Sequence, residues 1–242
     1  MEIWYSFMGG VSEDDHIGFY DSETLDWPKV LEDNWEIIAQ EIAFFIQNHG
    51  GQIKPYFNKN LVSKKKSWKT FTFFLWGWKV KKNMRLCPET CAVLTKIPNV
   101  LSASVSILEP GVKIKPHRGD TNAIMRSHLA LKVPASLPEC GLKVKYDERS
   151  WEEGKVLVFN DAARHEAWNL SDSRRYVLIV DVLRPEFSTK KYQVCSMVLG
   201  TLVMQQLLQN NLISKFPKFI KIAMLICISG TFNMVLRLRS FF

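Results

Sequence analysis

From Val100 onward the sequence is organised in twos. The stretches SASVSILEP, SHLALKVP, LKVKYD, KVLVFND and RYVLIVDVL alternate side-chain character. Turn formers break them at Pro110-Gly111, Gly119-Asp120, Pro138–Gly141 and Glu153-Gly154. Alternate residues of a strand point to opposite faces, so this period marks short strands with one face packed inward. Many short strands at regular spacing restrict the chain to a sandwich or a jelly-roll barrel, with any helices packed outside it.

The period changes on either side of this region. Residues 26–48, DWPKVLEDNWEIIAQEIAFFIQN, place Leu31, Trp35, Ile38, Ile42 and Phe45 at three- and four-residue steps. That spacing predicts one long helix, capped by Asp26, with Pro28 in its first turn and His49-Gly50-Gly51 at its end. A second helix is predicted over 88–96, stopped by Pro98. The expected organisation is a helical region over 1–98, a strand-rich core over 99–187, and a basic, apolar helical tail over 188–242.

Charge is spread unevenly. The net charge is +8, yet residues 54–85 hold ten Lys/Arg and no acid, and the chain after Glu186 holds seven and again no acid. Such stretches fit nucleic acid, anionic lipid, an acidic substrate, or simply a solvated loop and tail. No nucleic-acid-binding motif accompanies them, so nucleic acid ranks last. Residues 192–214 carry several Gln and Asn and make a poor membrane span. The run FIKIAMLICISGTFNMVL at 219–236 is flanked by Lys221, Arg237 and Arg239 and fits a short anchor, an interfacial helix or a buried core helix. The expectation is contact between residues 192–242 and a membrane surface.

The first fifteen residues lack a basic region leading into an apolar run, so no export signal is read there. Five cysteines without zinc-type pairing are read as buried free thiols. Together these suggest a cytoplasmic setting, with the tail on the cytoplasmic face of a membrane.

Chemistry concentrates in the strand-rich region. Three of the five histidines lie there: His117 just after a strand, His128 within one, and His165 after the turn that follows KVLVFND. A jelly roll brings the ends of non-sequential strands to one mouth, so His117 and His165 form a candidate pair. The residue two after His117 is Gly119, where many iron sites carry a carboxylate, and Asp120 is out of phase for that role. Alternation puts Arg126 and His128 on one strand face. Arg175 starts an apolar strand and is either a buried cation in need of an anion or an exposed strand-end residue.

These residues carry a resemblance. PHRGDTN, MRSHLAL, SWEEGKVLVFNDAARHEAWN and RRYVLIVDVLRPEF occur in this order over about 100 residues and resemble the aspartyl/asparaginyl β-hydroxylase family of Fe(II)- and 2-oxoglutarate-dependent dioxygenases. The resemblance implies a mainly β fold, a double-stranded β-helix flanked by N-terminal helices and the C-terminal tail. It implies Fe(II) held by His117 and His165 without an acid, Gly119 standing in the acid's place. Arg175, assisted by Ser106, would bind the distal carboxylate of the co-substrate 2-oxoglutarate, and Arg126 and His128 its iron-chelating end. With O₂, such a site hydroxylates an unactivated carbon.

The family motif implies the β-carbon of Asp or Asn in a peptide or protein as substrate. A weaker likeness of DWPKVLEDNWEII and LCPETCAVLTKIPNV to bacterial lipid A hydroxylases implies an acyl chain of an anionic lipid as the alternative. Those lipid enzymes tend to carry Asp where Gly119 stands. A halogenase, with chloride beside Gly119, and a non-catalytic barrel are the remaining alternatives.

Overall fold

The computed structural model describes residues 1–239. Its strands are β1 (Phe19–Tyr20), β2 (Lys54–Pro55), β3 (Trp68–Leu75), β4 (Trp78–Lys79), β5 (Val100–Leu108), β6 (Val112–His117), β7 (Ile124–Lys132), β8 (Cys140–Val144), β9 (Asp147–Arg149), β10 (Val156–Phe159), β11 (His165–Asn169) and β12 (Arg175–Leu183). Its helices are α1 (Asp26–Glu32), α2 (Trp35–His49), α3 (Lys81–Met84), α4 (Pro88–Thr95), α5 (Lys191–Gln209) and α6 (Lys218–Arg239).

All strand pairings are antiparallel. The larger sheet runs β1-β10-β7-β12-β5-β3-β2, with β4 on β3, and the smaller runs β6-β11-β8-β9. Chain neighbours β5 and β6 thus lie in different sheets, as do β6 and β7, which is the connectivity of a double-stranded β-helix.

Alternation along each strand sorts residues between two cores. On β5 and β3, Val105, Ile107, Phe71 and Phe73 face outward, where α2 and α4 cover them with Ile38, Ile42, Phe45 and Leu94. Each such side chain contributes about 1.5–3 kcal/mol on full burial. Between the sheets, Val112, Ile114, Leu142, Val144, Phe159 and Val177 form the inner core. The intervening residues of β5, Ser102, Ser104 and Ser106, point inward with Arg126, Ile179 and Asp181 and supply a polar lining.

Several sequence expectations are revised. The helix expected over 26–48 is two helices, α1 and α2, broken at Asp33-Asn34, where the Asn34 side-chain amide donates to the Val30 carbonyl at 2.8 Å. Such a local side-chain bond competes with helix continuation. Asp26 lies inside the first turn rather than capping it; Leu25 is the cap residue. The run FTFFLW, placed in a helical region by the sequence reading, supplies β3. Its threonines face in and its phenylalanines out, the half-buried pleat that aromatic and β-branched residues favour. Cysteines 87, 91, 140 and 195 are buried as expected, but Cys227 is exposed.

The tail folds into α5 and α6, packed on one another and on one end of the larger sheet through Trp76, Leu101, Ile124 and Leu183. A Cβ on Gly200 would lie 2.3 Å from Ser229 Oγ and 3.0 Å from Leu225 Cδ1, so close approach of the two helices requires glycine there.

Candidate active site

The smaller sheet brings the two histidines together. β6 and β11 are antiparallel and His117 is the register partner of His165, so rings 48 positions apart in the chain sit with centroids 4.2 Å apart. Both rings are fixed in the same way. Nδ1 of His117 donates to the Lys115 carbonyl at 2.8 Å, and Nδ1 of His165 to the Ala163 carbonyl at 2.9 Å. A proton held on Nδ1 leaves the Nε2 lone pair free, the arrangement a metal ligand needs. Burial lowers the pKa of His117 to about 4 and holds His165 well below the ordinary histidine range.

An acid does stand beside the pair. Asp161 is fully buried and places Oδ1 3.7 Å from His165 Nε2. Its backbone carbonyl accepts from the Gly119 N–H at 2.7 Å, and a Cβ built on Gly119 would fall 1.6 Å from Asp161 Oδ2. The space that a carboxylate-bearing residue 119 would need is therefore filled from the turn before β11. Oδ2 has no hydrogen-bond partner, and burial raises the pKa of this carboxyl, with Arg126 opposing. The sequence reading did not single out Asp161. Its signal is faint, an acid four residues before a candidate ligand in the turn NDAARH.

Arg126 projects from β7 opposite Asp181 on β12. Its guanidinium binds Asp181 in a fork, Nε to Oδ1 at 2.7 Å and Nη2 to Oδ2 at 2.9 Å, and Nη1 reaches Asp161 Oδ1 at 2.5 Å. Burial alone would lower the pKa of this group, but Asp161 and Asp181 hold it above its ordinary value. Arg126, linked in the sequence reading to an external carboxylate, is thus engaged by two internal ones. Asp181, inside the apolar run VLIVDVL, was not anticipated either.

Arg175 is the opposite case. It is 1% exposed, yet Nε and Nη1 have no partner. Nη2 donates to Ser106 Oγ at 3.3 Å, and the guanidinium stacks over Trp151 at 4.5 Å from the ring centroid. Burial brings its pKa down to about 10. Between the two readings left open by the sequence, the buried cation is the one observed. Ser106 also accepts from Trp68 Nε1 at 3.0 Å, which orients the hydroxyl. His128, fully buried with an unpartnered Nδ1, sits edge-on to Phe159 at 5.1 Å and stacks with Trp151 at 6.0 Å. Phe159 in turn contacts His165 at 5.3 Å, so a continuous run of inner-face rings joins the histidine pair to Arg175.

The residues fit a ferrous ion and a dicarboxylate, as judged by their unmet bonding. Two neutral imidazoles present free Nε2 atoms, and a buried guanidinium has two groups of donors unsatisfied, which favours an anion strongly. Among the described residues no cluster of three or more His, Cys, Asp or Glu is gathered at metal-ligand spacing. The His117–His165 pair stands with Asp161 adjacent.

A cavity of about 700 Å³ opens from His117, Gly119 and Asp120. Its far walls are apolar, with Trp76, Trp78, Leu199, Leu202, Val203 and Phe232 contributed by the β3–β4 hairpin, α5 and α6. Asp120 lies on its wall, accepting from Gln205 Nε2 at 3.2 Å, with its pKa raised to about 6 by burial.

Comparison with known proteins agrees with this arrangement. Residues 32–185 match the family model described as aspartyl/asparaginyl beta-hydroxylase. The ornithine lipid ester-linked acyl 2-hydroxylase of Rhizobium tropici is 35% identical over 178 residues, 72% of this chain and 63% of that protein. The aspartyl/asparaginyl beta-hydroxylase of Mus musculus is 35% identical over 168 residues, 67% of this chain and 22% of that protein. The chain therefore spans less than two thirds of either relative. A prolyl-4-hydroxylase structure from Pseudomonas putida aligns with 66% of this chain and 99% of that one, at 12% identity and a TM-score of 0.42. With the family model covering the barrel and every residue of the His117–His165 pair, the chain belongs to the aspartyl/asparaginyl β-hydroxylase family.

Proposed function

We propose that the chain is an Fe(II)- and 2-oxoglutarate-dependent hydroxylase acting on the ester-linked acyl chain of a lipid, at the carbon next to the carbonyl. His117 and His165 would hold the iron, and Arg175 with Ser106 would bind the distal carboxylate of 2-oxoglutarate. Bound there, Fe(II), 2-oxoglutarate and O₂ supply the oxidising power for hydroxylation, with succinate and CO₂ as co-products. Arg126 holds Asp161 in place beside the pair, and His128 lies on the ring path between the pair and Arg175.

The observation that carries the choice of substrate is the cavity. Its apolar walls run from the histidines to α5 and α6, which suits a hydrocarbon chain with a polar head near Asp120 and Gln205. The name of the Rhizobium relative supports the same chemistry. A peptide Asp or Asn, the substrate named for the mouse relative, is the second reading. A peptide carboxylate would need a free cation, and both arginines that line the cavity are engaged, Arg126 by Asp161 and Asp181 and Arg118 by Asp15.

The experiment is succinate release from 2-oxoglutarate under aerobic conditions with Fe(II), comparing a diacyl aminolipid in detergent with Asp- and Asn-containing peptides. Lipid-stimulated succinate and a product heavier by one oxygen on the acyl chain are expected. Peptide-stimulated turnover alone would replace the lipid with the peptide. Undiminished turnover by His117→Ala or His165→Ala would end the metal assignment.

A further inference from the structure

We propose that the outward face of α6 docks on an anionic membrane surface, lying in its plane. A helix turns by about 100° per residue, so Phe219, Ala223, Ile226, Gly230 and Met234 share one stripe. That stripe faces away from the protein. Phe219 is 71% exposed, Ile226 59% and Met234 60%, with Leu238 beside them at 55%. The other side of the helix is committed inward, Leu225, Ser229 and Leu236 being buried against α5 and the sheet end.

Two physical points select this occupant and this orientation. An 18-residue stretch within Lys218–Leu238 has a mean hydropathy of 1.9 and only 17% of that stretch is buried, so by length and composition the helix could cross a bilayer. A helix crossing on its own would meet lipid on all sides, whereas this one is fastened along one face to α5, whose end carries exposed Gln206 and Asn210. Insertion to the depth of one face is what the packing permits. The charges then choose the lipid. Lys215 and Lys218 are exposed at the start of α6, Arg237 is exposed near its end, and no acid occurs after Glu186. Cations bordering an apolar stripe at both ends match an anionic headgroup layer above an acyl region.

The docking stands apart from whatever the cavity binds. Its consequence for access rests on the lipid reading. Phe232 lines the cavity from the inward side of α6, beside buried Ser229 and Leu236, so the docked helix would stand between the membrane surface and the cavity an acyl chain would enter.

The test uses the full, iron-loaded chain without 2-oxoglutarate, so that turnover plays no part. An environment-sensitive dye on Cys227, exposed on α6 while the other four cysteines are buried, reports insertion. Vesicles of phosphatidylcholine with phosphatidylglycerol are compared with pure phosphatidylcholine. Binding at least tenfold tighter to the anionic vesicles is expected, with a blue-shifted emission, and weakening as salt rises. Ile226→Asp with Met234→Asp should abolish binding. Lys215→Gln with Lys218→Gln should weaken it by about twenty-five-fold, some fivefold per charge. All four positions are exposed, and unchanged melting curves verify folding. The proposal is overturned by vesicle binding that is absent or indifferent to these variants. It is equally overturned by a dimer in solution that Ile226→Asp dissolves, since a second copy would then cover the stripe. A chain that binds vesicles but releases no succinate would defeat the enzymatic reading alone.

Discussion

The carboxylate of Asp161 occupies the volume into which a side chain on residue 119 would project, with Oδ2 1.6 Å from the position of a Cβ there. The glycine two residues after His117 and the acid four residues before His165 are therefore one feature.

That relationship predicts an asymmetric response. Gly119→Ala forces Asp161 out of place and should weaken Fe(II) affinity by about 10–100-fold, the usual range for displaced groups supporting a metal ligand. Gly119→Asp alone should be worse. Gly119→Asp combined with Asp161→Gly relieves the clash and should recover most of the loss. Anaerobic Fe(II) titration measures all three; a double variant no better than Gly119→Asp would refute the shared-space explanation.

Arg175 is a buried charge without an anion, and such a group lowers the stability of the empty fold. Arg175→Met should leave the melting temperature of the protein free of 2-oxoglutarate unchanged or higher. Saturating 2-oxoglutarate at about 100 times its Kd should raise the wild-type melting temperature by about 5–10 °C. The variant should rise by under about 2 °C. An equal rise in both would mean that the co-substrate does not use this guanidinium.

Arg126 is the counterpart, a cation already satisfied. Arg126→Met strands Asp161 and Asp181 as buried carboxylates and should cost about 3–5 kcal/mol in urea unfolding. Arg126→Lys keeps the charge but loses the planar fork, and should fall between wild type and Arg126→Met. Wild-type stability in Arg126→Met would show that the two acids are neutral in the fold.

Glu109 ties three strands at the end of β5, accepting from Lys69 Nζ at 2.7 Å and Arg174 Nε at 2.8 Å. Burial alone would raise its pKa, but these bonds hold it below the ordinary 4.5. A folded pKa below the unfolded one contributes stability that is complete above about pH 4.5 and is lost as pH falls through the folded value. Denaturation midpoints of Glu109→Gln should therefore decline less between pH 5 and pH 3 than those of wild type, by roughly the discounted worth of a half-exposed pair. Parallel profiles would contradict the assignment.

Much of the site was readable because strand alternation is a local property. The period of two puts Arg126 with His128, and the structure keeps that face. The buried state of Arg175 was not readable, because exposure at a strand's first residue depends on what crosses over it, here Trp151 from a distant loop. Nor was the break at Asn34, where a single side-chain bond interrupts a helical pattern that continues on both sides.

Sequence by itself determined the strands from Val100 onward, which side of them looks inward, and that two histidines end up at strand termini, since these follow from side-chain period and turn chemistry between near neighbours. Only tertiary structure decided the partners. The antiparallel register of β6 with β11 sets His117 beside His165, that of β7 with β12 pairs Arg126 with Asp181, and the packing of α5 and α6 closes the cavity. Pairings between residues 42 to 55 positions apart, such as Gly119 with Asp161 and Arg126 with Asp181, depend on where whole strands lie, and no local pattern records that.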